Sequence, residues 1–553
     1  RASVLANFAL TMKARQYHKR FFKKDVKPNI VELQDFSSDE FSGIKNFGSL
    51  LVPHSSASFD DGIFGQSTRE YDIQKKILSS EFHCVVTNPP YMGSKGMNKE
   101  LSDFVKKRYP DSKSDLFAVF IERTLELTKP HGFMSMINQH SWMFLSSYEK
   151  IRIKIIEKQR INTMVHLGPR AFEEIGGEVV QSVAFVLEKD IKAKVASTYI
   201  RLTDYKSSNE KEQEFFNPKN RFESKQKYFS NIPGNYIAYW LSDNVINHFS
   251  KNIFLGDDVT TREGMATADN DRFLRYWNEA NFNDIGFNLE TIDEANQSNK
   301  RWFPYNKGGE FRKWYGNNEY LVDWQNDGYG VKNNIDEKTG RLRSHNYNGE
   351  FAFQKGMTWA ALSSSKISVR FSNYGFMFDS KGAMGFSDKN IEYFIALINS
   401  CIGMKFLEIL APTMDFKVGD IIKIPLIKHK EEIINTIVET NISIAKKEWD
   451  SRETSWDFTK NELIKHKLDT KIETAYTAYC NHWTEQHNTL HQNEEELNRL
   501  FIDIYELQDE LTPEVELKDI TILKNETKII DDELVFQADE IMKQFISYGV
   551  GVM

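Results

Sequence analysis

Cysteine is scarce in this chain. Three residues in 553, Cys84, Cys401 and Cys480, lie too far apart to suggest a disulfide framework. They fit a reducing compartment, and a cytoplasmic protein is expected. Cys480 and His482 are neighbours in sequence, yet two candidate ligands do not make a zinc site. No apolar run approaches the roughly 20 residues of a membrane span, and no signal peptide is visible, so no membrane partner is expected. A phosphate-cradling Walker loop is missing, and so is any nuclease-like grouping of carboxylates with lysine. No glycine-rich strand–turn–helix element occurs. Positive charge is not in excess either: 71 Lys and Arg stand against 79 Asp and Glu, a net charge of −8. That excludes a uniformly basic surface but not one basic face, because charge is unevenly spread. Between Lys300 and Lys381 the balance reverses, with 13 Lys and Arg against 8 Asp and Glu.

What is present starts with length. A chain of 553 residues exceeds one ordinary core, so two or three domains are expected. The most informative stretch is Asn88-Pro89-Pro90-Tyr91, directly after the apolar run Phe82 to Thr87, which reads as a buried strand. A proline pair stops a ladder because proline donates no N–H and fixes its own φ. The chain thus leaves the sheet abruptly at the carboxyl end of a strand, where open α/β sheets place their ligands. An Asn side-chain oxygen and a backbone carbonyl can both accept from one exocyclic amine, and a neighbouring Tyr can stack on a flat base. Such a pair of acceptors would draw adenine N6 towards tetrahedral geometry and free its lone pair for an electrophilic methyl. A base in a duplex must be turned out to reach such a pocket. Taken alone, the same four residues also suit an ordinary turn with a packed aromatic ring.

The surroundings favour the chemical reading. The tetrapeptide resembles motif IV of the amino-group DNA methyltransferases, in the form typical of N6-adenine enzymes. Lys113 to Phe117 with Phe120 looks like the helix start after the catalytic loop. His131 to Ile137 and Ile161 to Gly168 look like the next strands. Two long stretches, His166 to Val180 and Asn493 to Tyr505, resemble the PglX family, the adenine methyltransferases of BREX phage-defence systems, and the likeness runs along nearly the whole chain. The resemblance implies an α/β fold: an incomplete Rossmann-like class I methyltransferase sheet, then an α+β target-recognition domain and a helical C-terminal region. The expected divisions are 1–190 (partial catalytic domain), 191–254 (connector), 255–428 (target recognition) and 429–553 (helical). It implies S-adenosyl-L-methionine as cofactor, double-stranded DNA as partner, and other BREX proteins beside it. Asn88 and the Pro89 carbonyl would orient the amine, Pro90 stiffen the loop and Tyr91 stack on the base. Asp35 and Phe36, ending the apparent strand Asn29 to Phe36, would hold the adenine end of the cofactor. With no glycine-rich element ahead of them, the chain reads as an internal piece of a larger enzyme.

Along the chain, Tyr71 to Leu78 and Asp115 to Leu127 have helical spacing, and residues 92–113 read as a lysine-bearing loop. Strands at 132–137, 161–167 and 181–187 alternate with a helix at 148–157, which implies a parallel sheet with covering helices. From Leu255 the chain becomes aromatic and basic. Glycines there let backbone approach a duplex, and Lys or Arg beside them can bond phosphates or guanine edges. Arg262, Lys307, Lys355 and Arg370 are the expected DNA contacts, whereas Trp277, Trp302 and Trp314 suit core positions. Ala411 to Asp420 resembles the end of specificity domains in restriction-modification systems. Two other readings stay open: a catalytically inactive DNA-recognition module, and an N4-cytosine target, because the same chemistry serves that amine.

Overall fold

In the computed structural model the chain divides into two units, Arg1–Leu241 and Ser242–Met553. The structure describes residues 2–23, 27–36, 41–53, 65–171, 180–190, 195–251, 253–362, 366–412 and 415–553.

The first unit opens with α1 (Ala2–Tyr17) and α2 (Gly65–Ser79), then β1 (Phe82–Thr87). Helices α3 (Lys99–Arg108) and α4 (Leu116–Glu126) lead to β2 (Thr128–Gln139), α5 (Glu149–Lys158) and β3 (Arg160–Gly168). The strands β4 (Ser182–Glu188), β5 (Ser197–Arg201) and β6 (Arg221–Ser224) follow. All six strands form one sheet in the order β1-β2-β4-β3-β5-β6. β1 runs parallel to β2, and β3 to β5, while β4 lies antiparallel between β2 and β3. The sheet is therefore mixed rather than parallel throughout as the pattern implied, with the reversed strand inside it. The last two strands come from residues 197–224, where the sequence showed little period.

Alternation explains which side of the sheet is covered. Met134 and Met136 on β2, Val183, Phe185 and Leu187 on β4, and Met164 on β3 are buried. Helix α4, with Phe117, Val119 and Ile121 buried, packs on β2. The opposite face is more open towards β1. Cys84 pairs in register with Phe133 and Val86 with Ser135, so these four share that face. Val86 is 76% exposed and Phe133 38%. β1 pairs only with β2, so its other edge has no strand partner among the described residues.

Two expectations need correction. Residues 29–36 are extended but form no ladder. A strand needs a neighbour to bond, and here Gln74 supplies the bonds instead: its Oε1 accepts from Gln34 N (2.7 Å) and its Nε2 donates to Gln34 O (3.0 Å). Residues 92–113 are not a simple loop, since they contain α3. Asn98 caps that helix by accepting from Leu101 N at 2.9 Å, and Leu101 and Val105 are its buried stripe.

The second unit carries strands β7 (Thr260–Arg262), β8 (Met265–Ala266), β9 (Leu274–Tyr276), β10 (Trp302–Asn306), β11 (Tyr320–Asp323) and β12 (His345–Asn346). These are followed by β13 (Gly356–Trp359), β14 (Val369–Ser372), β15 (Met377–Phe378) and β16 (Met384–Phe386). Two four-stranded sheets result, β9-β11-β10-β15 and β14-β13-β16-β7, with β8 and β12 as a separate pair. Trp302 and Trp314 are buried as expected, and Trp277 is half-buried. The apolar run 391–410 is two helices, α6 (Ile391–Asn399) and α7 (Cys401–Leu410), bent by 72°. Ser400 caps α7, and the turn is tight: a Cβ on Gly403 would lie 2.2 Å from the Leu397 carbonyl oxygen. The longest helices of the unit follow, α8 (Glu431–Trp449), α9 (Ile472–Ile504) and α10 (Ala538–Val552), and the hairpin Thr527–Ile530 with Glu533–Phe536 precedes α10. No single helix among the described residues is long and apolar enough to cross a membrane.

One buried amide holds α5 to the sheet. Gln226 Oε1 accepts from Ile161 N (2.8 Å), and its Nε2 donates to the carbonyls of Ile155 (3.2 Å), Ile156 (2.9 Å) and Gln159 (2.7 Å). Gln226→Leu keeps the volume and orphans those backbone groups. Stability should fall by about 2–4 kcal/mol in denaturant unfolding; an unchanged midpoint would show that the groups find other partners.

Candidate active site

The site is built at the carboxyl end of β1. Thr87 is the last ladder residue, and the chain then turns out through Asn88, which is exposed. Pro89 is buried and Pro90 exposed. The Tyr91 ring is half-buried and meets Phe117 edge to face, with centroids 6.2 Å apart and planes at 81°. Phe117 is fully buried and packs in turn on Tyr148, 5.6 Å away. The Tyr91 hydroxyl is buried without a hydrogen bond, as is the Ser182 hydroxyl. Burial raises the Tyr91 pKa.

Asp115 fixes the segment after the motif. Its Oδ1 accepts from Met92 N at 3.0 Å and from Phe117 N at 3.2 Å, so one oxygen serves the loop and the first turn of α4. Backbone bonds complete the clamp, from Leu116 N to Met92 O (3.1 Å) and from Ser94 N to Ser114 O (3.0 Å). Burial raises the Asp115 pKa, and the bonds from Phe117, Met92 and Leu116 oppose that rise. The sequence offered a signal for this role, an Asp directly before an apolar helical stripe, although the position was read only as a helix start.

A second polar group stands at the ends of β2 and β3. His140 Nδ1 and His166 Nε2 are 2.8 Å apart, and His166 Nδ1 lies 3.2 Å from the Tyr239 hydroxyl. His140 N donates to Gln181 O at 2.9 Å, next to Ser182. Burial pushes His140 down to about 4. It also pushes His166 well below the usual range, helped by the charges of His140, Arg201 and Lys211. Sequence reasoning gave these residues no role, since a His at a strand end reads equally as packing.

The remaining candidates lie apart from this cluster. Asp35 is exposed, and Phe36 packs with Phe41 and Tyr71 at centroid distances of 5.9 and 5.5 Å. Neither makes a hydrogen bond or ring contact to Asn88–Tyr91 among the described residues. Asp35 thus offers an exposed carboxylate next in sequence to the packed Phe36 ring, and these are the residues of this chain that could meet the adenine end of a nucleoside cofactor. In the second unit Arg262 is half-buried, with its guanidinium 4.8 Å over the Phe351 ring. Lys307 Nζ is 2.5 Å from Asp379 Oδ2, which also accepts from the Tyr305 hydroxyl at 2.9 Å. Lys355 is exposed and stands 3.6 Å from Glu392. Arg370 corrects its expectation: it is 1% exposed and donates inward to Gly308 O at 2.7 Å, and burial lowers its pKa to about 9. It presents nothing to a duplex in this arrangement. The stretch 172–179 and residues 413–414, parts of two motifs singled out in sequence, lie outside the described residues. No group of three or more His, Cys, Asp or Glu among the described residues is placed to hold a metal.

The site is thus an Asn-Pro-Pro-Tyr turn at the carboxyl end of a strand in an open α/β sheet, the placement that the resemblance to class I methyltransferases implies. Residues 1–172 match the family described as Eco57I restriction-modification methylase. The chain is 41% identical, over its full length, to an adenine-specific methyltransferase PglX of Lacticaseibacillus casei, covering 49% of that protein. It is 33% identical, again over its full length, to the adenine-specific methyltransferase BrxX of Escherichia coli, covering 50% of it. A solved structure of the Type IIL restriction-modification enzyme MmeI in complex with DNA aligns with a TM-score of 0.47 at 14% identity, over 80% of this chain and 56% of that one. Along its full length the chain is similar to these two proteins named adenine-specific methyltransferases, and it spans about half the length of these curated relatives.

Two measurements test this geometry. Asp115→Ala should speed amide exchange across 91–94 by tenfold or more and cost about 1–2 kcal/mol of stability; unchanged exchange would show that the loop does not depend on the carboxylate. The two histidines bind fewer protons folded than unfolded between about pH 6.5 and 4. Stability should therefore be level above that window and fall as pH drops through it, by up to about 1.4 kcal/mol per pH unit for each histidine. His140→Phe should remove one histidine's share of the slope in denaturant unfolding across that range, and an identical slope would contradict the buried neutral pair.

Proposed function

We propose that the protein carrying this chain is a site-specific DNA methyltransferase that methylates adenine N6 in duplex DNA. The observation that carries this reading is the Asn-Pro-Pro-Tyr turn, which leaves the Asn88 amide exposed at a strand end while Phe117 holds Tyr91. The full-length relation to proteins named adenine-specific methyltransferases supports it.

Asn88 Oδ1 and the Pro89 carbonyl accept the two N6 hydrogens of an adenine turned out of the duplex. Those bonds draw the nitrogen lone pair out of conjugation and point it away from the two acceptors. Tyr91 stacks on the base, and Pro90 keeps the carbonyl and the amide in one register. S-adenosyl-L-methionine, when bound, supplies an electrophilic methyl on a sulfonium that leaves as a neutral thioether. With the lone pair freed by Asn88 and the Pro89 carbonyl, no base would be needed before the methyl moves, and the amine would give up one proton to solvent afterwards. Placement does most of the work, as expected for a transfer with a good leaving group. In this chain Asp35 and Phe36 are the residues for the cofactor's adenine end. The names PglX and BrxX suggest a role in BREX phage defence beside other components of such a system.

A second reading has its own observation. Among the described residues the motif strand β1 is an edge strand with exposed apolar residues, and the given sequence shows no glycine-rich cofactor element. By itself, then, this chain would recognise DNA without methylating it.

Long-read sequencing of DNA from cells carrying the full-length gene separates the two readings. One sequence motif should bear N6-methyladenine, and Asn88→Ala should abolish it, a loss of at least 1,000-fold in rate. Methylation that survives in the mutant would end the catalytic assignment. A parent that leaves every adenine unmodified would favour the recognition module.

A further inference from the structure

The second unit carries a ribbon with three cations, Lys338, Arg341 and Arg343, against Asp336 and Glu337, and none of the expected DNA contacts belongs to it. Residues 334–343 form a hairpin: Arg343 N donates to Asn334 O (2.8 Å), Asp336 N to Arg341 O (2.8 Å), and Ile335 bridges Leu342. Its tip is rigid for a stated reason. Asp336 Oδ1 accepts from Lys338 N (3.1 Å), Thr339 N (2.8 Å) and the Thr339 hydroxyl (2.9 Å), and Gly340 takes a φ of +65°. Those bonds, the Thr339 amide first, hold the Asp336 carboxyl below its usual range, with Arg343 adding to the effect. The base of the ribbon is fixed as well. Asn334 donates to the Ser344 hydroxyl at 2.7 Å, and Ser344, 1% exposed, donates to the Thr267 carbonyl.

From Arg343 onward the side chains alternate in burial, whereas Leu342, 45% exposed, stands between two exposed arginines. Ser344 is buried and Asn346 half-buried, while Arg341, Arg343, His345 and Tyr347 are all exposed. Period-two alternation puts those four on one side, about 7 Å apart along the chain. The His345 and Tyr347 rings confirm the shared side, with centroids 5.2 Å apart and planes at 16°. Tyr347 is 50% exposed, so this ring pair is not core packing. Lys338, Arg341 and Arg343 make no ion pair with a carboxylate among the described residues. Lys332, Lys307 and Lys355 are each matched to an acid.

We infer that the 334–347 ribbon is a DNA-reading element, entering the major groove with Arg341 and Arg343 on phosphates or guanine edges and the His345–Tyr347 pair beside them. A two-stranded ribbon fits a groove about 12 Å wide, and guanidinium forks suit both kinds of acceptor. The inference rests on the DNA-methyltransferase reading and adds the residues that select the site.

The test uses the full-length protein and the Arg341→Ala/Arg343→Ala double variant, with Tyr347→Ala as a second variant that leaves the charges in place. Both sets of side chains are exposed, so the melting temperature should not move. Binding to a duplex bearing the methylated motif is measured against salt, and the methylated motif is mapped in cells. Phosphate contacts predict weaker binding by tenfold or more and a salt slope lower by about 2. Guanine contacts predict a relaxed motif at one or two positions with the slope retained. Affinity, slope and motif all equal to those of the parent would overturn the inference while leaving the methyltransferase reading intact. A parent that binds duplex and leaves all adenines unmethylated would sink the methyltransferase reading and leave the ribbon to be judged on binding alone.

Discussion

The site depends on one carboxylate. Asp115 accepts from the loop that follows the Asn-Pro-Pro-Tyr turn and from the first turn of α4, so a reactive segment after a strand inherits the rigidity of a helix. That helix is itself pinned. Its Arg123, buried, donates to the carbonyls of Ser49 (2.7 Å), Leu51 (3.0 Å) and Leu78 (2.7 Å). A chain of hydrogen bonds thus runs from the turn, through α4, to the segment before β1. Each bond alone contributes about 1 kcal/mol. Together they fix the turn's position, which matters more for a transfer whose rate depends on placement.

In the second unit, buried charge does the equivalent work. Glu448 on α8 accepts from Arg312 at 2.5 Å and from Arg452, which also reaches Glu526 at 2.8 Å. Burial alone would raise the Glu448 pKa, but the two guanidinium groups outweigh it and hold the carboxyl down. Next in sequence, Lys313 Nζ and the Trp314 indole N–H meet the two oxygens of Glu494 on α9, at 2.6 and 2.7 Å. Such groups give modest net stability against an apolar core, yet losing one partner is costly because the other charge stays buried. They bind the strand-rich part of the unit to its long helices and leave fewer cations for a nucleic acid than the composition suggests.

Sequence pattern revealed the elements with strong periods. β1, α4, β2, α5, β3 and β4 all fall where apolar spacing put them, and the strand–Pro–Pro break located the turn. The misses have physical causes. β5 and β6 are short, and β6 is an edge strand, so neither shows a long alternation. α3 buries Leu101 and Val105 and half-buries Phe104, and its charged outer face looked like a loop. Residues 29–36 alternate well, but a strand is a relation between two segments, and a side chain on α2 fills the partner's role. Arg370 misled because β14 is buried on both faces, and depth of that kind leaves no mark on a single strand's composition. The ribbon at 334–347 was overlooked for the opposite reason: with mixed charge and one glycine at its tip, it reads as an ordinary loop.

The position of β4 constrains the order in which the first unit can assemble. β2 and β3 are successive strands in the chain, yet they never pair with each other, because β4 lies between them. As the chain leaves the ribosome, β2 can add to β1, but β3 must wait with neither edge paired until first β4 and then β5 arrive. The middle of the sheet is thus the last of its first four strands to be synthesised. Non-local closure of this kind slows folding, and it makes the segment between β3 and β4 the timing element of the domain. A longer insertion there would cost little in final stability but would extend the interval in which β3 is free to pair with a wrong partner.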